Sequence, residues 1–74
     1  MDAHKYVKML TNTYRTYSRV KEDGTFFKGV LIGIMLCAHN DELNPAIVES
    51  LENLKETLRN QICIDEVLEK GEKE

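Results

Sequence analysis

An uncharged apolar run of nine residues, VLIGIMLCA at positions 30–38, constrains this chain more than any other feature. A helix that spans a bilayer needs roughly 20 apolar residues, so this run is too short to cross a membrane. The run is also longer than most strands and is apolar on every side, which favours a buried central helix. We therefore predict a central helix over residues 26–39.

The segment before this run has the period of an amphipathic helix over residues 2–20. Its apolar side chains recur at three- and four-residue steps, and they are Ala3, Tyr6, Val7, Leu10, Tyr14, Tyr17 and Val20. The sequence TNTYRTYSRV is nevertheless rich in residues that favour strands. A β-hairpin over residues 11–36, turning at KEDG, therefore stays open as the alternative.

Turn and capping residues predict where the helices begin and end. Gly24 suits the left-handed position just past a helix end, and Asp23 or Thr25 can cap the next helix through a side-chain oxygen. Asn44 followed by Pro45 is typical of an N-cap and the first helical position. The last helix should therefore begin at residue 45.

The last helix is predicted over residues 45–68 and has the most regular pattern. A row of aliphatic side chains follows 4-3-4-4 spacing and consists of Ile47, Leu51, Leu54, Leu58 and Ile62. The pattern shifts phase at residues 62–64, which would allow a kink, and residues 71–74 should form a frayed tail. The prediction is one all-α domain over residues 1–74, either a small three-helix bundle or a helical hairpin with a long C-terminal amphipathic helix.

The small size of the chain predicts association with a protein. A chain of 74 residues buries only about 60% of its unfolded surface, and two short amphipathic helices cover an apolar central helix only partly. We therefore expect a homodimer or another protein partner. The candidate self-association or partner interface is the aliphatic row of the last helix: Ile47, Leu51, Leu54, Leu58 and Ile62.

Charge is divided unevenly within the net charge of −3. Residues 1–30 carry six basic and three acidic side chains, whereas residues 31–74 carry four basic and ten acidic ones. The candidate anion-binding face is a stripe of four cations on the first helix: Lys5, Lys8, Arg15 and Arg19. The acidic residues that we expect opposite this stripe, within the fold or across a dimer, are Glu49, Glu52 and Glu56.

No spacing typical of catalysis, a cofactor or a metal site is present. The cysteines and histidines form no zinc-type pair, and the chain has no glycine-rich phosphate loop and no nucleophile motif. We predict no enzyme activity, no cofactor and no metal. Cys37 and Cys63 should be reduced core residues, and with no apparent signal region this predicts a cytoplasmic location.

These observations predict a non-enzymatic small helical adaptor, inhibitor or regulatory protein that binds another protein, as a homodimer. The alternative is a nucleic-acid-associated regulator that uses the basic face of the first helix. The negative charge of the last helix and of the whole chain disfavours this alternative, since phosphates repel carboxylates.

Overall fold

Three helices in sequence make up the structure: α1 (His4–Val20), α2 (Gly24–Asn40) and α3 (Pro45–Glu72). The computed structural model describes residues 3–72, with side chains over residues 3–68. Each helix packs against the other two, which confirms the prediction of a small all-α three-helix bundle. The alternative hairpin over residues 11–36 is wrong, because α1 and α2 cover that segment.

The core lies where the inner faces of the three helices meet. α1 contributes two of the predicted tyrosines and a leucine. Among the described side chains, the buried ones are Tyr6, Leu10, Tyr17, Leu31, Ile34, Met35, Ala38, Leu51 and Ile62. The Tyr17 ring meets Phe27 edge-on with 5.9 Å between ring centroids. The first helix therefore follows its predicted period. Its tyrosines, which favour strands by propensity, are stabilised in the helix by packing in the core.

Polar contacts of α1 also explain why TNTYRTYSRV forms a helix. The hydroxyls of Thr11 and Thr13 donate to backbone carbonyls one turn earlier, at 2.7 and 2.8 Å. The Tyr14 hydroxyl donates to Asp65 of α3 at 3.3 Å. Three hydroxyl groups of this segment thus find partners without leaving the helical conformation.

The turn between α1 and α2 differs from the prediction. Lys21 and Asp23 adopt the left-handed conformation, with φ of 51° and 57°, whereas Gly24 is the first residue of α2. Gly24 is buried, and an added Cβ there would overlap the carboxylate of Glu66. The prediction that Gly24 takes the left-handed position is wrong, because Lys21 and Asp23 carry the positive φ angles of this turn and Gly24 is already helical.

The helix caps follow the prediction at only one of two positions. Asp23 stands at the N-cap position of α2 but makes no side-chain capping hydrogen bond. Asn44 accepts a hydrogen bond from the Ala46 N–H at 2.8 Å, which confirms its role as the N-cap of α3.

α3 is continuous through residues 62–64 and extends to Glu72, so the phase shift in its pattern produces no break. It passes the predicted end near residue 68, and residues 73–74 of the predicted tail lie outside the described residues. With 28 residues against 17 in α1, it is about 16 Å longer than α1 at 1.5 Å per residue. None of the described helices is long and apolar enough to cross a membrane.

The two cysteines differ from each other in burial. Cys63 is half-buried and Cys37 is exposed, and both are free thiols. The prediction that both are core residues is wrong for Cys37. Met35 and Ala38 take the inward positions of that turn, which leaves Cys37 on the outer side of α2.

The left-handed conformation of Lys21 yields a stability prediction. A side chain in this conformation costs roughly 1–2 kcal/mol, whereas glycine adds only about 0.4–1 kcal/mol of freedom to the unfolded chain, so Lys21→Gly should raise the melting temperature by about 2–4 °C. Glu22→Gly is the matched control. Glu22 lacks a positive φ, so glycine there should only add freedom to the unfolded chain and lower the melting temperature. Thermal melts followed by circular dichroism test this, and equal shifts in both variants would contradict it.

Candidate interaction surfaces

The outer side of α2 carries an exposed stripe that we name the α2 outer face. Its members lie three or four residues apart and therefore share one side of the helix: Phe26, Gly29, Gly33 and Leu36. Phe26 and Leu36 are 64% and 61% exposed, and Ile32 beside them is 48% exposed. The apolar run thus divides into an inner half that forms the core and an outer half that no part of the described chain covers.

The two glycines of the α2 outer face are open. An added Cβ at Gly29 or Gly33 would meet nothing within 4 Å. Glycine destabilises a helix interior by about 1 kcal/mol relative to alanine, and in these two places no neighbour among the described residues requires it. Gly24 is different, because Glu66 occupies the space beside it. The backbone of α2 is therefore accessible from outside along about one turn.

The charged side chains next to α2 are engaged with α3. The Lys28 ammonium lies 3.0 Å from Glu66 Oε1, and this hydrogen bond raises the pKa of Lys28. The His39 Nε2 lies 3.1 Å from Glu52 Oε2, and the contact lowers the pKa of Glu52. Both pairs flank the α2–α3 seam, so the α2 outer face itself stays uncharged.

The predicted interface row of α3 packs largely inside the chain. Leu51 and Ile62 are buried, Leu54 and Leu58 are half-buried, and Ile47 is 39% exposed. Three members of the row also line a shallow groove of about 280 Å³ between the N-terminal turns of α1 and α3, together with Ala3, Val7, Ala46 and Ser50. The part of the row that a partner could contact is therefore this groove.

A second exposed apolar patch lies near the end of α3. Ile64, Val67 and Leu68 are more than half exposed and, with Cys63, line another shallow groove. This patch was not among the predicted interaction residues. Its signal is the phase shift after Ile62, where apolar residues move from the inner to the outer side of the helix.

The candidate anion-binding face lies on the side of α1 opposite the buried residues, and its four cations are exposed. The Lys5 ammonium lies 3.7 Å from Asp41 and 5.0 Å from the centroid of the Tyr6 ring. Among the described side chains, Lys8, Arg15 and Arg19 have no acidic partner within 4.0 Å. α1 itself contains no acidic residue.

The acidic residues of α3 pair locally and not with this face. Glu52 lies 3.3 Å from Lys55, and Glu56 lies 3.0 Å from Lys55 and 3.5 Å from Arg59. Within the described chain, the four cations of the basic face make no ion pair with α3. The prediction that these glutamates neutralise the basic face inside the fold is wrong, because that face points away from the bundle.

The features that the described part of the chain offers are exposed surfaces and shallow grooves. No three His, Cys, Asp or Glu side chains in that part come together as metal ligands. The two grooves are shallow and lie at or below the size of pockets that enclose small molecules, about 300 Å³ and more. Comparison with protein-family models, curated proteins and solved structures finds no match to this chain.

A buried tyrosine joins the start of α1 to the α2–α3 connection. The Tyr6 ring is buried, and its hydroxyl donates to a carboxylate oxygen of Asp41. This hydrogen bond, together with burial and the Asp41 charge, raises the pKa of Tyr6 to about 12. The contact also holds Asp41 near Lys5, so one cation of the basic face is tied to the fold.

The raised pKa of Tyr6 predicts how stability depends on alkaline pH. The folded pKa of about 12 lies above the ordinary value of 10.0, so the contribution of the hydroxyl is complete below pH 10 and is lost as the pH rises through 12. From pH 10 to 12 the native protein should lose stability faster than Tyr6→Phe, which has no proton to release. Chemical denaturation at several pH values tests this, and parallel pH profiles would contradict it.

Proposed function

We propose that this chain is a non-enzymatic adaptor, inhibitor or regulatory protein that binds another protein through the α2 outer face. The observation that supports the proposal is the exposure of Phe26, Ile32 and Leu36 on a helix that is apolar on all sides. A helix of this kind is normally buried, and contiguous exposed apolar patches mark interaction sites.

The exposed apolar side chains are large enough for their burial to drive binding of a partner. Burying a phenylalanine, leucine or isoleucine side chain contributes roughly 1.5–3 kcal/mol, and part of that remains available because the three are about half exposed or more. Association entropy opposes this gain. A partner with a matching apolar helix or groove would therefore bind with modest affinity, as suits a reversible regulatory contact.

The position of the charges fits the same proposal. Lys28 and His39 are held at the α2–α3 seam, so a partner can cover the α2 outer face without desolvating an unpaired charge. The free Cys37 thiol on this side of the helix suits a reducing compartment, which supports a cytoplasmic location as part of the proposal.

A site-specific photocrosslinker tests this function. A benzophenone amino acid at Phe26 keeps an aromatic ring on the α2 outer face, and the same group at Asn53 places it on the exposed outer side of α3. In cells of the native host, we expect protein adducts from position 26 and few from position 53. Mass spectrometry identifies the adducts. Absence of adducts from position 26, or equal yields from both positions, would contradict the proposal.

A charge placed on the face should remove the interaction without unfolding the chain. Leu36→Glu introduces a carboxylate at a 61% exposed position, so the fold should survive while adduct formation from position 26 falls. Asn53→Glu is the matched control, with the same charge added on the outer side of α3. It should leave the adducts unchanged, and loss of adducts in both variants would indicate a general effect of charge.

The second candidate function is binding of a nucleic acid along the basic face of α1. The observation that favours it is that Lys8, Arg15 and Arg19 are exposed without acidic partners among the described side chains. From Lys5 to Arg19 the four cations extend over about 21 Å of helix, enough to contact several phosphates. The net charge of −3 opposes it, and so it stands second.

Two variants of equal net charge test the second candidate. Lys8→Gln with Arg15→Gln removes two cations from the basic face, and Asn53→Glu with Asn60→Glu adds two anions on α3. For the native protein we expect only weak binding of generic DNA or RNA that disappears as salt rises. Submicromolar binding at physiological salt, lost in the first variant and kept in the second, would place nucleic-acid binding first. Fluorescence anisotropy measures both.

A further inference from the structure

We infer that the protein covering the α2 outer face is a second copy of this chain, packed with its α2 antiparallel about a two-fold axis between Gly29 and Gly33. The inference rests on the proposed function, since it names the occupant of the same face. Four observations support it: the symmetry of the spacing, the open glycines, the distribution of charge and the exposed area.

The exposed residues of the α2 outer face are spaced symmetrically. Phe26, Gly29, Gly33 and Leu36 are separated by three, four and three residues, which reads the same in both directions. In an antiparallel pair centred at the level of residue 31, Phe26 lies opposite Leu36 of the second copy, and Gly29 lies opposite Gly33. Large side chains then meet at the two ends and glycines meet in the middle, as a self-complementary two-fold contact requires.

The open glycines allow the two helices to approach closely. Small residues at a helix crossing bring the backbones together and increase packing contacts. Because no described residue beyond the adjoining turns of α2 lies within 4 Å of a Cβ at Gly29 or Gly33, the space is open in the single chain. Each glycine weakens α2 relative to alanine, and a second helix in this space gives both residues a structural role.

The distribution of charge favours this face for self-association. Two copies, each with a net charge of −3, repel each other weakly. The α2 outer face contains no charged side chain that would increase this repulsion. A two-fold contact through the basic face of α1 would instead set Lys8, Arg15 and Arg19 against their own copies. Antiparallel packing also sets the positive end of each α2 dipole beside the negative end of the other.

The exposed area of this face sets the expected strength. The face offers three large side chains that are about half exposed or more, Phe26, Ile32 and Leu36. A standard interface instead uses about 20–30 residues on each side. We therefore expect a weak, reversible dimer with a dissociation constant on the order of micromolar or higher.

Sedimentation equilibrium on the native chain and on Gly29→Ala with Gly33→Ala tests the inference. Alanine should strengthen the isolated helix and leave the monomer folded, yet the added methyl groups should weaken the dimer by about tenfold or more because the helices must separate. Ser18→Ala with Asn53→Ala is the matched control, at exposed helical positions away from the face. It should leave the dissociation constant within about twofold.

The photocrosslinker at Phe26 tests the antiparallel direction. The adduct should have twice the mass of the 8.5 kDa chain, with the crosslink mapped near Leu36 of the second copy. A crosslink between the two copies near position 26 itself would indicate parallel packing and overturn the inference. A dimer indifferent to the glycine substitutions would overturn it as well.

The same experiments separate the inference from the function on which it rests. One outcome is that the chain stays monomeric up to several hundred micromolar while position 26 forms adducts with other proteins. This result would overturn the inference that a second copy covers the face, and it would leave the proposed function intact. Absence of every adduct at position 26, together with a monomeric chain, would overturn both.

Discussion

The packing of α2 determines the rest of this structure. A helix without charge over residues 30–38 must be covered, and α1 and α3 can each contribute only one apolar face to cover it. They enclose the inner half, where Leu31, Ile34, Met35 and Ala38 are buried. Three helices of this length form a triangle with one outer side per helix, so the outer half of α2 stays in contact with solvent. The same apolar helix therefore supplies both the core and an exposed apolar face.

Periodicity was enough to predict the number of helices and most of the core, since burial in α1 and α3 follows three- and four-residue spacing. It could not determine which residues of α2 face inward, because a helix that is apolar all round has no preferred face. Cys37 illustrates this: its sequence neighbours are apolar, yet it is exposed. Gly24 illustrates the same limit for a turn, because its role depends on Glu66, which is distant in sequence.

The candidate sites were predicted with similar limits. The cations of α1 were predicted to share a stripe, and they are exposed on one side of the helix. The pairing of that stripe with α3 failed because Glu52 and Glu56 have closer partners within α3 and in His39. Neighbours one helical turn apart pair at little entropic cost, whereas a contact between helices requires both faces to point inward. Sequence spacing predicts a face but not the direction in which it points.

The glycines of α2 differ in whether another part of the chain fills the space beside them. A glycine within a helix costs stability, so a chain that retains one is expected to use the vacant space. Beside Gly24, at the first position of α2, the space is filled by the Glu66 side chain, which also pairs with Lys28. Gly29 and Gly33 have no such neighbour among the described residues, although they lie on the same helix and nearer its middle. The space beside them is open to solvent between the exposed side chains of Phe26 and Leu36, which is why a second helix is the occupant that we propose.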